Sequence, residues 1–156
     1  MNNRTVIVIT GPTASGKTSL GVSLALALGT EVVSADSMQL YRGMDIGSAK
    51  PTREEMRGVP HHMIDVADPA EDYSVSRWVE NAAACCDALL AGGKTPVIVG
   101  GTGLYIESLL SGRDFSAAPG DSGVREALGA EYDALGGAAF REKLAGMLKN
   151  AASRAS

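Results

Sequence analysis

Four short apolar runs, rich in β-branched residues, punctuate the first hundred positions: Thr5 to Thr10, Glu31 to Ala35, His62 to Val66 and Pro96 to Val99. Each has the length and composition of a buried strand. Between them lie segments with helical spacing. Thr18 to Leu28 carries Leu20, Leu24, Leu26 and Leu28 among alanines, a broad apolar face closed by Gly29. Ser74 to Leu90 predicts a long helix, capped by Ser74 or Ser76, with Trp78 and Val79 opening its buried face and Gly92-Gly93 ending it. A shorter helix follows from Leu104 to Leu110. Gly43 to Pro60 mixes Gly, Pro and charges and predicts a long functional loop with one helical turn near Arg53 to Met56. Strands alternating with helices imply an α/β fold, a parallel sheet with helices on both faces. Ligands of such sheets sit at the carboxyl ends of the strands, where Gly11, Asp36 and Gly100 fall.

The texture changes near Arg113. Asp114 to Gly123 is a small-residue linker, Val124 to Leu135 and Ala138 to Leu148 predict two short helices, and Asn150 to Ser156 has no periodicity and predicts a frayed tail. The expected division is therefore a core domain over 1–112, a helical segment over 113–149 and a tail over 150–156. A chain of 156 residues, 45% hydrophobic and 21% charged, has the bulk of one ordinary soluble domain. No run reaches the apolar length of a membrane span. Met1 to Arg4 runs straight into the first strand without a signal peptide, so a cytoplasmic protein is expected. Cys85 and Cys86 are neighbours in a helical pattern and point to different sides, which suits core filling better than a metal clip or a disulfide. The net charge of −4 gives no general attraction for nucleic acid.

The first run leads into Gly11-Pro12-Thr13-Ala14-Ser15-Gly16-Lys17-Thr18, a complete phosphate-binding loop between a strand and a helix. Gly11 and Gly16 let the backbone curl so that successive N–H groups point at phosphate oxygens. Lys17 supplies a point charge, the Thr18 hydroxyl suits Mg²⁺, and the helix start adds its positive dipole end. The fold expected is thus of the P-loop NTPase type. The loop calls for a diphosphate or triphosphate and leaves the reaction open.

Phosphate-transferring P-loop proteins usually carry an Asp at the end of a second apolar strand. Here Val97-Ile98-Val99 ends in Gly100, and the strand-end acid is Asp36 instead. Asp36 could organise a metal, act as a general base, or cap a helical turn.

Four ordered blocks together resemble the tRNA dimethylallyltransferase (tRNA isopentenyltransferase) family: Gly11 to Thr18, Asp36 to Pro51, Pro60 to Asp65, and Gly100 to Tyr105. The resemblance implies that the loop holds dimethylallyl diphosphate, and that a prenyl group passes to the exocyclic N6 amine of the adenosine 3′ of the anticodon in tRNA. It implies Asp36 as the base. Lys17, Thr18 with Mg²⁺ and the amides from Thr13 to Lys17 would steady the leaving diphosphate. Asp36, Ser37, Met38 and Gln39 would contact the target base, Gln39 through two hydrogen bonds to an adenine edge, and Thr102 and Arg125 would contact the tRNA anticodon stem-loop. His61, His62 and Asp65 lie in a family block but suit structural roles; Tyr41 and Tyr105 suit either a prenyl pocket or packing. Family members are longer, with the rest of a helical tRNA-binding insertion and a distal basic stretch. The expectation is an N-terminal portion, monomeric, whose 113–149 segment begins that insertion and which grips tRNA weakly. Rival readings are a small-molecule kinase using ATP, an adenylate isopentenyltransferase acting on AMP, and a non-enzymatic binding module.

Overall fold

The computed structural model describes residues 5–112 and 122–154, with side chains of the second stretch described over 126–147. Its elements are β1 (Ile7–Thr10), α1 (Lys17–Leu28), β2 (Val32–Ser34), α2 (Arg53–Met56), β3 (His61–His62), α3 (Val75–Ala91), β4 (Val97–Gly100), α4 (Gly103–Ser111), α5 (Ser122–Leu135) and α6 (Gly137–Arg154). They fall into two compact units, Met1–Asp114 and Phe115–Ser156.

In the first unit all four strands are parallel, in the order β1-β4-β2-β3. Ile7 pairs with Val97, Thr10 with Gly100, Ser34 with Val99 and Val32 with His61. The chain leaves β1, crosses to β2 and β3, and returns to fill the gap with β4. The carboxyl ends of β1 and β2 therefore flank Gly100.

Strand alternation splits the apolar runs between two cores. Val32, Val97 and Val99 face α1 with Ile9 at the edge, packing on Val22 and Ala25. Val33 and Ile98 face the other way, onto Trp78, Ala82, Tyr105 and Ile106 of α3 and α4. Helix α3 buries Trp78, Ala82, Cys86 and Leu89, one stripe at helical spacing, and Ser74 is its cap, accepting the Arg77 N–H at 3.2 Å.

Three expectations change. Helix α1 does not pack through its leucines: Leu20, Leu26 and Leu28 are exposed, and Gly21, Val22 and Ala25 are buried. A Cβ on Gly21 would stand 2.5 Å from Val99 Cγ2, so α1 lies directly on β4 and only small residues fit between them. The strand expected over 62–66 shrinks to His61–His62, because Met63 and Asp65 take left-handed φ values of 62° and 54° that break the pleat. A single parallel bridge, Tyr41 to Ala67, resumes the pairing.

In the second unit α5 and α6 pack together, joined by Gly136 in the left-handed region (φ 77°) and by an edge-on contact of Tyr132 with Phe140. Ser122 and Gly123, expected in the linker, open α5; the rest of that linker lies outside the described residues. The third change is the tail, which stays helical through Arg154 because Ala151 and Ala152 are strong helix formers.

Candidate functional site: a phosphate cradle facing Asp36

The turn between β1 and α1 places Ala14 (φ 62°) and Gly16 (φ 82°) in the left-handed region with Ser15 between them. That geometry turns successive amides to one side, a concave anion cradle at the positive end of α1. Alanine in this conformation costs about 1 kcal/mol, a strain concentrated in a working loop. The Lys17 ammonium donates to the Pro12 carbonyl and lies 3.4 Å from Ser15 Oγ, folded over its own loop.

At the end of β2, Asp36 Oδ1 accepts the Met38 N–H at 2.9 Å. The carboxylate thus caps its own turn, one of the roles legible in sequence, and Asp36 lines the cleft of the site. Thr102 Oγ1 accepts the Ser37 N–H at 3.0 Å, and the Thr102 N–H donates to the Ala35 carbonyl at 3.1 Å. These bonds tie the Asp36 turn to the start of α4. Gly100 explains the missing strand-end acid: a Cβ there would fall 2.2 Å from the Ala35 carbonyl oxygen. No side chain fits at that position, so Asp36 is the acid available at this edge.

A cleft of about 620 Å³ joins these parts. Thr13 to Thr18 line it, as do Asp36, Met38, Gln39 and Thr102. Ser37 does not line it; its N–H donates to Thr102, which does. Gly11 and Pro12 are not among its lining residues, and Arg125 is on α5 in the second unit, its side chain outside those described. Met38 is 46% exposed, an apolar chain beside the acid.

Gln39 lines the cleft with its amide already engaged. Its side chain is buried; Oε1 accepts from Ser34 Oγ at 2.9 Å and Nε2 donates to the Ala49 carbonyl at 3.0 Å. Lys50 also lines the cleft and went unassigned in the sequence. Its ammonium meets the Tyr41 carbonyl (2.5 Å), Asp45 Oδ1 (2.9 Å) and Asp65 Oδ1 (2.6 Å). The sequence signal was available, a lone lysine following an aspartate in a long loop, but the Asp65 partner is fifteen residues away. Burial works against the Lys50 charge, yet the bonds from Asp65 and Asp45 prevail and hold it above the usual lysine range.

His61 also lines the cleft, and the remaining candidates make contacts within the fold. His61 Nδ1 pairs with the Val59 carbonyl at 2.8 Å, and His62 Nε2 lies 2.7 Å from Glu31. Tyr105 stacks on Trp78 with centroids 4.7 Å apart, inside the core. Burial pushes the Cys86 thiol up to about 11. Among the described residues no cluster of three His, Cys, Asp or Glu could hold a metal, and no helix is long and apolar enough to cross a membrane.

A phosphate cradle on the first βα turn of a parallel sheet defines a P-loop α/β protein. The comparisons narrow this further. The family model described as IPP transferase matches residues 39–156, and one described as isopentenyl transferase matches residues 4–69. The chain belongs to the IPP transferase family. It is 47% identical over 152 residues to the tRNA dimethylallyltransferase of Shouchella clausii, covering 97% of this chain and 49% of that protein. With the same enzyme of Geobacillus kaustophilus it shares 53% over 123 residues, 79% of this chain and 39% of the relative. The crystal structure of the full-length tRNA isopentenylpyrophosphate transferase from Bacillus halodurans superimposes with a TM-score of 0.72 at 42% identity, over 97% of this chain and 50% of that one. A eukaryotic dimethylallyltransferase acting on tRNA matches with a TM-score of 0.69 at 34% identity, over 74% of this chain and 29% of its own. The chain spans about half the length of its bacterial relatives, or less.

Proposed function

We propose that this chain is the diphosphate-holding part of a tRNA dimethylallyltransferase, which moves a dimethylallyl group from its diphosphate to the N6 amine of the adenosine 3′ of the anticodon. The observation that carries this reading is one cleft with a phosphate cradle and a strand-end carboxylate, at an edge where Gly100 admits no second acid. A kinase would want that acid to organise its metal. A prenyl transfer wants a base near a well-held leaving group.

In the step proposed, the adenine nitrogen attacks C1 of the dimethylallyl group as the C1–O bond breaks, and the electron pair leaves on diphosphate. Asp36 takes the N6 proton through the oxygen not engaged by Met38. Lys17 swings from Pro12 onto the diphosphate, and the amides from Thr13 to Lys17 hold its oxygens. Thr18, which lines the cleft, would hold a Mg²⁺ ion through its hydroxyl, since this ion favours few protein ligands beside substrate phosphates. When bound it would neutralise charge growing on the leaving group. Met38 and Thr102 line the approach of the base, and Ser37 and, from the second unit, Arg125 are proposed as further tRNA contacts. The protein would work in the cytoplasm as a monomer.

Calorimetric titration tests the reading. Dimethylallyl diphosphate should bind the 156-residue chain in preference to ATP; tight ATP binding without that preference would overturn it. Asp36→Ala should leave this affinity intact while lowering prenyl transfer to an anticodon stem-loop by at least about 10²-fold in the full-length enzyme. Loss of binding together with transfer would assign Asp36 a metal or structural role.

A further inference from the structure

A lysine lining a phosphate cleft invites assignment as a phosphate ligand. An ammonium has three N–H donors, and the three on Lys50 already meet three protein oxygens from Tyr41, Asp45 and Asp65. The Lys50 side chain is only 7% exposed. One partner is itself fixed: the Asp65 N–H donates to the Gln39 carbonyl at 3.0 Å, and Arg42 Nε donates to the Asp65 carbonyl at 3.0 Å, while Asp45 is 70% exposed. A second fastening lies close by, where the Gln39 amide bridges Ser34 on β2 to Ala49. Between the two, Gly47, Ser48 and Ala49 form a wall of the cleft that carries no charge.

We propose that Lys50 is a positioning residue, a latch that holds the 43–51 segment against the Asp36 turn and so shapes the uncharged wall that meets the carbon tail of an allylic diphosphate. Specificity for the tail then depends on a cation that touches neither tail nor phosphate. The part concerning the tail rests on the function proposed above; the latch itself does not.

Two measurements on the 156-residue chain separate these. Hydrogen exchange needs no ligand: Lys50→Met should speed exchange of the Arg42, Asp65, Val66 and Ala67 amides, whose bonds join the two stretches that Lys50 ties together, and leave α1 and β4 protected, while Lys50→Arg, which keeps charge and donors, should restore most of the protection. In calorimetry, Lys50→Met should weaken dimethylallyl diphosphate about tenfold and leave inorganic diphosphate unchanged. Equal loss for both ligands would make Lys50 a phosphate ligand and overturn the proposal. Wild-type exchange rates at Arg42 and Asp65 to Ala67 in Lys50→Met would overturn it as well. If the wild-type chain binds neither diphosphate, the proposed function fails, and the exchange result still decides the latch.

Discussion

Single atoms decide the chemistry of this cleft. Gly100 is the clearest case, since its Cβ would overlap backbone that cannot move without shifting β2. Gly100→Ala should therefore destabilise the fold by on the order of 3 kcal/mol in denaturant unfolding. A loss below about 0.5 kcal/mol would show that β2 and β4 can part at no cost. Sequence showed that an acid was missing from this strand end, while the reason, the approach of Ala35, is a contact across sixty-five residues. Asp36 was legible as a strand-end carboxylate, and the fold shows the capping role directly, with Oδ1 accepting the Met38 N–H. Gln39 was legible as polar and well placed, but only the fold shows its amide committed to Ser34 and Ala49. The cysteines agree with their reading as core fillers: with Cys86 raised to about 11 by burial and Cys85 raised likewise, alkylation of the native chain at pH 7.5 should be slow and should accelerate on unfolding.

Elements were placed well where pattern is local. Helix α3 announces its cap, buried stripe and terminal glycines within twenty residues, and Ser74→Ala should cost about 1 kcal/mol in thermal or chemical unfolding. Helix α1 was placed correctly but faced wrongly, because its leucines outweigh Gly21 in any apolar pattern and the fit of Gly21 to Val99 is invisible in one dimension. Strand β3 was overextended for a similar reason: Met63 and Asp65 occupy left-handed positions that their side chains do not advertise. Its first residue carries a pH dependence. Burial lowers the His61 pKa below its ordinary 6.5, outweighing the bond to Val59. As pH falls through 6.5 the unfolded imidazole takes up a proton that the folded one resists, so the unfolded state is favoured. Stability should decline with pH below that value, and His61→Gln should flatten the decline. Glu31 acts in a lower window: the Lys94 bond, then His62, hold its carboxyl below 4.5, so its contribution is complete above that pH and is lost on further acidification.

At the scale of the molecule, charge and architecture pull apart. The net charge of −4 offers little counterion release, so the chain should bind an anticodon stem-loop no more tightly than about 1 µM at physiological salt, measured by fluorescence anisotropy. Binding tighter than that would locate the main tRNA grip in these residues. The α/β alternation, the parallel sheet and the phosphate loop follow from the sequence by itself, because strand length, helix spacing and a loop of glycines beside a lysine are short-range properties. The four ordered blocks also sufficed to indicate the family. Tertiary structure alone decided which face of α1 is buried, why Gly100 is glycine, and how Lys50 comes to hold Asp45 and Asp65 at once. Each depends on atoms far apart in the chain approaching within a few ångströms, and periodicity carries no record of such distances.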